Sequence, residues 1–247
     1  MTKRSLIFAF VALLALSSAS CAKLQARDNL IKGQTAFKNA KYEEAIKYFQ
    51  QAMELDPNLT MAEIYLGTAY SQQFVPGSQT PENMKQADLA IKTFESILSK
   101  EPQNASAVAG LAFIYQNTAQ YKKAHDFYLR HAEIDPTNPI PLYAVGSVNW
   151  IVVFDKMNPP PVDEQVKLVN EGLEKLDKAL ALNPEYDDAM SYKNLLLREK
   201  ARLTEDEGEK AKLTASADEL FNKALETRKL NQEKKNKAAA GIVMDKK

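Results

Sequence analysis

A single cysteine, two histidines and eight glycines among 247 residues leave little material for the commonest binding and catalytic chemistries. One cysteine, Cys21, excludes an internal disulfide. His125 and His131 are six positions apart, which puts them on different faces of a helix with 3.6 residues per turn. A helical zinc pair is spaced by four, so no metal site is expected. The glycines are scattered singly, and no loop able to cradle a phosphate can be built from them. Net charge is missing as well. The 32 basic and 32 acidic residues cancel, so nothing suggests the basic face that nucleic-acid binding requires. Carboxylates such as Glu43 and Glu44 stand near lysines such as Lys47, a pattern of solvated helix surface. No catalytic residue and no cofactor is expected, and the chain reads as a non-enzyme.

What is present begins at the N-terminus. Lys3 and Arg4 precede an apolar run from Leu6 to Leu16, and the small residues Ser17, Ser18, Ala19 and Ser20 follow. That is the order of a secretory signal peptide. The run falls short of the roughly 20 apolar residues that span a bilayer, so cleavage is expected rather than anchoring. Cys21 stands where the signal ends. Ser18-Ala19-Ser20-Cys21 resembles a bacterial lipoprotein signal, with Ser18 departing from the aliphatic residue usual there. The resemblance implies that residues 1–21 are the signal region, with Cys21 lipidated as the first mature residue. It also implies, with Ala22 next, the periplasmic side of the outer membrane. An ordinary cleavage site beside an incidental cysteine, giving a soluble periplasmic protein, is the alternative.

Low glycine with abundant Ala, Leu, Lys and Glu favours helix. Four similar marks divide the rest of the chain: Asp56-Pro57, Glu101-Pro102, Asp135-Pro136 and Asn183-Pro184. Each ends one apolar-periodic segment and opens another, because proline cannot continue a helix. Between them a pattern recurs. Gly33, Ala36, Tyr42, Ala45, Phe49, Ala52 and Pro57 form its first copy. Leu66-Gly67, Tyr70, Ala90, Phe94 and Pro102 form the second, and Leu111-Ala112, Tyr115, Tyr121, Ala124, Tyr128 and Pro136 the third. Val145-Gly146, Gly172, Leu176, Ala179 and Pro184 form a fourth, and a degenerate fifth carries Ala217, Phe221 and Ala224. These residues resemble the tetratricopeptide repeat, a helix-turn-helix of about 34 residues.

The resemblance implies an all-α, right-handed superhelix of about five helical hairpins with a C-terminal capping helix. Its units are expected at 26–59, 60–104, 105–138, 139–186 and 187–230 within an array over 22–230, followed by a Lys-rich polar tail over 231–247. Pro57 and Pro102 are 45 apart, and Pro136 and Pro184 are 48 apart. Against a repeat of about 34, units two and four are long by about 11 and about 14 residues. The surplus is expected between the paired helices, around Phe74 to Lys85 and Asp155 to Gln165, with a third extension over Thr204 to Ala215. Such insertions read equally as binding edges and as tolerated loops.

In this family the first helix of each hairpin lines a concave groove. Carried over, the groove positions of units three and four include Phe113, Gln116, Asn117, Tyr143, Ser147 and Trp150. The Lys and Asn of the family's carboxylate clamp are absent from the matching positions. Apolar and aromatic residues with amide and hydroxyl rims suit a peptide held by its side chains. For Trp150, packing with Phe154 beneath the insertion is the competing reading. The resemblance implies a scaffold in the bacterial envelope that binds other proteins through the groove and the membrane through a lipid anchor. A role in assembling an outer-membrane or cell-wall complex would follow. A periplasmic small-ligand carrier is the alternative.

Overall fold

The structure is a computed structural model. It describes the backbone of residues 3–244 and the side chains of residues 21–238. The side chains of the expected signal, Lys3 to Ser20, lie outside the described part, as does the end of the expected tail. Among the described residues there are ten helices and no strand: α1 (Lys3–Lys38), α2 (Tyr42–Leu55), α3 (Thr60–Gln73), α4 (Pro81–Lys100), α5 (Ala105–Asn117), α6 (Tyr121–Ile134), α7 (Pro139–Phe154), α8 (Val162–Leu182), α9 (Asp187–Leu203) and α10 (Glu207–Met244). The expected all-α class is the one found. The chain divides into two compact units, Met1–Ala119 with α1 to α5 and Gln120–Lys247 with α6 to α10. No helix among the described residues is long and apolar enough to cross a membrane.

The proline marks break helices, and two of the four are followed by side-chain caps. After Pro102, Asn104 accepts a hydrogen bond from the Ala107 amide at 3.0 Å and starts α5. After Pro136, Asn138 accepts from the Ile140 amide at 3.0 Å and starts α7, with Pro139 in the first turn. These bonds satisfy amides that the first helical turn leaves without partners. The short turns after α1 and α5 bring Ala40 and Ala119 into the left-handed region, with φ of 56° and 57°.

In the first unit each helix packs on the next, and α3 also meets α5. Phe49 and Phe94 are fully buried wedges in this core. A Cβ built at Gly33 would lie 2.4 Å from Phe49, and one at Gly110 would lie 2.4 Å from Phe94. Gly67 faces Phe94 as well, at 2.9 Å. The rings therefore occupy space that only glycine leaves open. In the second unit Leu176 fills the same role against Gly146, and Leu196 packs on Gly172. Val169 and Leu176 are buried at the centre of that core.

The surplus residues of units two and four are not all loop. α4 has 20 residues and α8 has 21, against 14 in α2 and in α6. Each insertion therefore adds nearly two turns to the second helix and leaves a connection of only seven residues. Buried amides pin both connections. Asn83 Nδ2 donates to the carbonyls of Val75 and Ser78 at 2.9 and 2.8 Å, and its Oδ1 accepts from the Val75 amide at 2.7 Å. Gln165 Nε2 donates to the Pro160 carbonyl at 2.7 Å, while Arg202 donates to Gln165 Oε1 at 2.6 Å. The third extension is helical from Glu207 onward.

The C-terminal helix expected beyond the last hairpin and the second helix of that hairpin are one continuous element, α10. Residues 231–238, expected to be a loose polar tail, are helical and tied back. Asn231 donates to the Glu185 carbonyl at 3.1 Å, and Lys234 pairs with Glu185 at 2.7 Å.

Candidate binding surface

Three of the expected groove residues lie on α5 of the first unit. Alternate positions of this helix build the core, with Leu111, Ile114 and Tyr115 buried. Phe113 points away from that core and is 44% exposed. Asn117 Nδ2 donates to the Phe113 carbonyl at 2.9 Å, so the amide closes the end of its own helix. Gln116 is half-buried beside it.

The other three lie on α7 of the second unit. Tyr143, Trp150 and Phe154 are spaced by seven and four, which stacks them along one side of a helix. Ser147 differs from expectation. It is buried, and its hydroxyl donates to the Ala144 carbonyl at 2.8 Å, so it faces no ligand. Short hydroxyl side chains readily bond back to their own helix in this way. Tyr143 is held by packing. Its ring centroid lies 5.0 Å from Tyr186 and 5.5 Å from Tyr192. Trp150 stands edge-on to Tyr192 at 5.7 Å and stacks on Phe154 at 4.8 Å. The competing reading of Trp150, packing with Phe154, is thus what its geometry shows. Together α7, α9 and Tyr186 at the N-cap of α9 present a continuous aromatic row: Tyr186, Tyr143, Tyr192, Trp150, Phe154.

The row is partly sunk in the core and partly open. Tyr143, Trp150, Tyr186 and Tyr192 are half-buried, and Phe154 is 46% exposed at the outer end. Lys156 sits over the Phe154 ring, 5.4 Å from its centroid. Burial pushes the Tyr186 hydroxyl up to about 12, helped by Asp188 and Asp187. Burial likewise raises Tyr143 far above the ordinary phenol range and raises Tyr192. All three therefore stay neutral donors. Arg228 compensates the two aspartates, at 2.8 Å from Asp187 and 3.0 Å from Asp188. The surface offers flat apolar rings with neutral hydroxyls, chemistry suited to another protein's side chains.

Tyr186 and Tyr192 are not among the groove positions expected from the sequence. The missed signal is the tyrosine pair six apart, Tyr186 and Tyr192, just after the mark at Pro184. Phe221 also departs from its expected place as a core wedge, being 46% exposed. Where units one, two and four have Gly33, Gly67 and Gly146, unit five has the buried Asn194. Asn194 Oδ1 accepts from Arg198 at 3.0 Å, and Arg198 pairs with Asp218 at 2.6 Å. A side chain there closes the slot a ring would enter.

Comparison with known proteins agrees with this architecture. Tetratricopeptide-repeat family models match residues 31–59 and 84–144. MamA from Desulfovibrio magneticus superimposes with a TM-score of 0.61 over 83% of this chain and 96% of that one, at 18% identity. YrrB, described as a TPR protein with an unusual peptide-binding site, superimposes with a TM-score of 0.55 over 81% of this chain and 90% of its own, at 16% identity. A Guillardia theta protein, ycf37, is 30% identical over 122 residues, 47% of this chain and 62% of that one. The mouse mitochondrial import receptor subunit TOM70 is 24% identical over 77% of this chain. The chain spans 62% of the first of these relatives and 27% of the second. This chain carries tetratricopeptide repeats and has the all-α tetratricopeptide fold of MamA and YrrB.

Proposed function

We propose that this protein is a non-enzymatic scaffold that binds other proteins, held at the periplasmic face of a bacterial outer membrane by a lipid on Cys21. The observation that carries the binding reading is the aromatic row on α7 and α9, with Phe154 open at its end. Flat rings give large contact area for little lost side-chain entropy. Phe113 on α5 adds an exposed ring among the residues expected to face a partner. The peptide-binding description of YrrB and the import-receptor name of TOM70 fit such a role. Support for the anchor comes from the signal-like N-terminus and from Cys21, a free and exposed thiol. The partner on this reading is a component of an envelope assembly.

Two measurements test the proposal. Cross-linking and capture from solubilised envelopes should recover a partner with wild type and lose it with Phe154→Ala combined with Phe113→Ala. Both rings are exposed, so circular dichroism should be unchanged. Equal capture by the double variant would remove the aromatic surface from the binding site. Metabolic labelling with palmitate should mark the wild type and leave Cys21→Ser unmarked. A mature N-terminus mapped beyond Cys21 would end the lipid-anchor reading.

A further inference from the structure

The junctions between successive hairpins are closed in one way. A wedge on the second helix of one hairpin meets the residue 16 positions on, in the first helix of the next. Phe49 stacks on Tyr65 with ring centroids 5.5 Å apart. Phe94 fills the space over Gly110, where a Cβ would lie 2.4 Å from the ring. Tyr192 packs against the cluster that holds Leu176. Ala144, in the same register after the buried Tyr128, is buried too.

The last hairpin and the first each hold half of such a junction. Phe221 of α10 stands between the buried Ala217 and Ala224, in the register that Phe49 holds between Ala45 and Ala52. No further hairpin follows it among the described residues. Phe221 is 46% exposed, and Leu225, one turn on, is 49% exposed, whereas Met53, Leu98 and Leu180 in its register are half-buried. Ile31 of α1 stands two before Gly33, the register that Tyr65 holds before Gly67. No hairpin precedes it among the described residues, and Ile31 is 60% exposed. With Thr35 and Tyr48 it walls a hollow of about 250 Å³ between α1 and α2. The last hairpin thus carries a wedge without a slot, and the first a slot without a wedge.

We infer that a second copy of this chain completes both halves: the Phe221–Leu225 face of α10 in one copy docks on the Ile31 face of α1 in another. The occupant follows from the junctions inside the chain, because the contact repeats an interface that the chain already makes between its own hairpins. Repeat arrays are held by such nearest-neighbour interfaces, and a terminal hairpin leaves one of them open. Charge favours the same pairing. α1 from Cys21 to Lys38 carries Lys23, Arg27, Lys32 and Lys38 against Asp28 alone. Positions 218–226 of α10 carry Asp218, Glu219 and Glu226 against Lys223 alone. Opposite charge steers α10 toward α1 and away from a second α10. Asp28 limits the strength. It stands five before Gly33, where the later first helices have the buried Ala62 and Ala107, and it pairs with Lys32 at 2.6 Å. Covering that pair costs free energy, so copies join reversibly and in proportion to concentration. Neither Phe221 nor Ile31 belongs to the aromatic row, so the contact is separate from the proposed partner site.

Light scattering on the full chain in detergent solution, across a concentration series, tests the contact. The average mass of the wild type should rise beyond one copy as concentration increases. Phe221→Asp and Ile31→Asp change exposed positions, so circular dichroism should be unchanged. Each variant alone should associate at least about tenfold more weakly, as expected when an anchor at the centre of an interface is lost. The two faces that meet are different surfaces, which makes a mixture informative. The Phe221→Asp chain keeps an intact Ile31 face, and the Ile31→Asp chain keeps an intact Phe221 face. Mixed in equal amounts, they should pair with wild-type strength and stop at two copies. Phe154→Ala should associate as the wild type does, which separates this contact from the aromatic row. A wild type that stays single at every concentration, a single variant that still associates fully, or a mixture that forms no pair would each overturn the inference.

Discussion

Phe94 offers the sharpest test of how this array is held together. The ring is 1% exposed and lies between Gly67 of α3 and Gly110 of α5. Returning it to water forfeits roughly 1.5–3 kcal/mol of transfer free energy. The hole left behind is bounded on two sides by helix backbone, which cannot collapse into it. Phe94→Ala should therefore cost about 3–5 kcal/mol, the range for a large ring lost from a rigid site. The glycine gives the complementary perturbation. A methyl at Gly110 would sit 2.4 Å from the ring, so Gly110→Ala should cost about 1–3 kcal/mol by overpacking. Combined, the two changes should not add. With the ring gone the methyl has room, and the double variant should be no less stable than Phe94→Ala alone. Urea denaturation of the full chain, followed by circular dichroism, reads all three variants. Phe221→Ala serves as the control, because that ring is already 46% exposed and should cost under about 1 kcal/mol. Additive losses in the double variant, or a Phe94→Ala loss no larger than the control, would refute the wedge.

Arg228→Ala should destabilise the last hairpin measurably, by about 1–2 kcal/mol, because Arg228 bridges Asp187 and Asp188 and so ties α10 to the start of α9. Lys234→Ala removes an exposed pair with Glu185 and should change the urea midpoint little, within about 0.5 kcal/mol. Alkaline pH should weaken the fold. Burial pushes the Tyr128 and Tyr186 hydroxyls up to about 12 from 10.0. The folded chain thus holds those protons after the unfolded chain has released them. The stability is fully present below pH 10 and is lost between about 10 and 12, so the urea midpoint should fall across that window while the tyrosinate absorbance rises late. On the acid side, burial lowers the His131 pKa, so its contribution is present above 6.5 and declines as pH falls below that value. A midpoint that stays flat from pH 10 to 12 would contradict the buried phenols.

The helical class, the hairpin phase and most of the core were legible in the residue order. Proline breaks, small residues at fixed offsets and a recurring ring are local constraints, and each acts within one or two helical turns. Phe49, Phe94, Ala45 and Ala124 are buried where the repeat pattern puts them. The insertions were visible as surplus length, but their division between longer second helices and short pinned loops was not. That division rests on Asn83 and Gln165, whose amides close hydrogen bonds only after the chain has turned back. The candidate surface was half legible. Tyr143 and Trp150 could be placed on one side of α7 by period alone. Their contacts with Tyr186 and Tyr192 depend on how α9 sits against α7, a distance no local pattern encodes. Ser147 shared the period and still turned inward, because a hydroxyl can bond to its own helix. The His125–Glu171–Asn149 group joins α6, α7 and α8 across 46 positions of sequence, and only packing brought it together. Sequence alone thus determined which residues could form helices and which faces had to be buried, since both follow from short-range geometry. Tertiary structure decided which polar side chains found partners and which were left with an unmet valence, because hydrogen bonds between helices depend on positions fixed only when those helices meet.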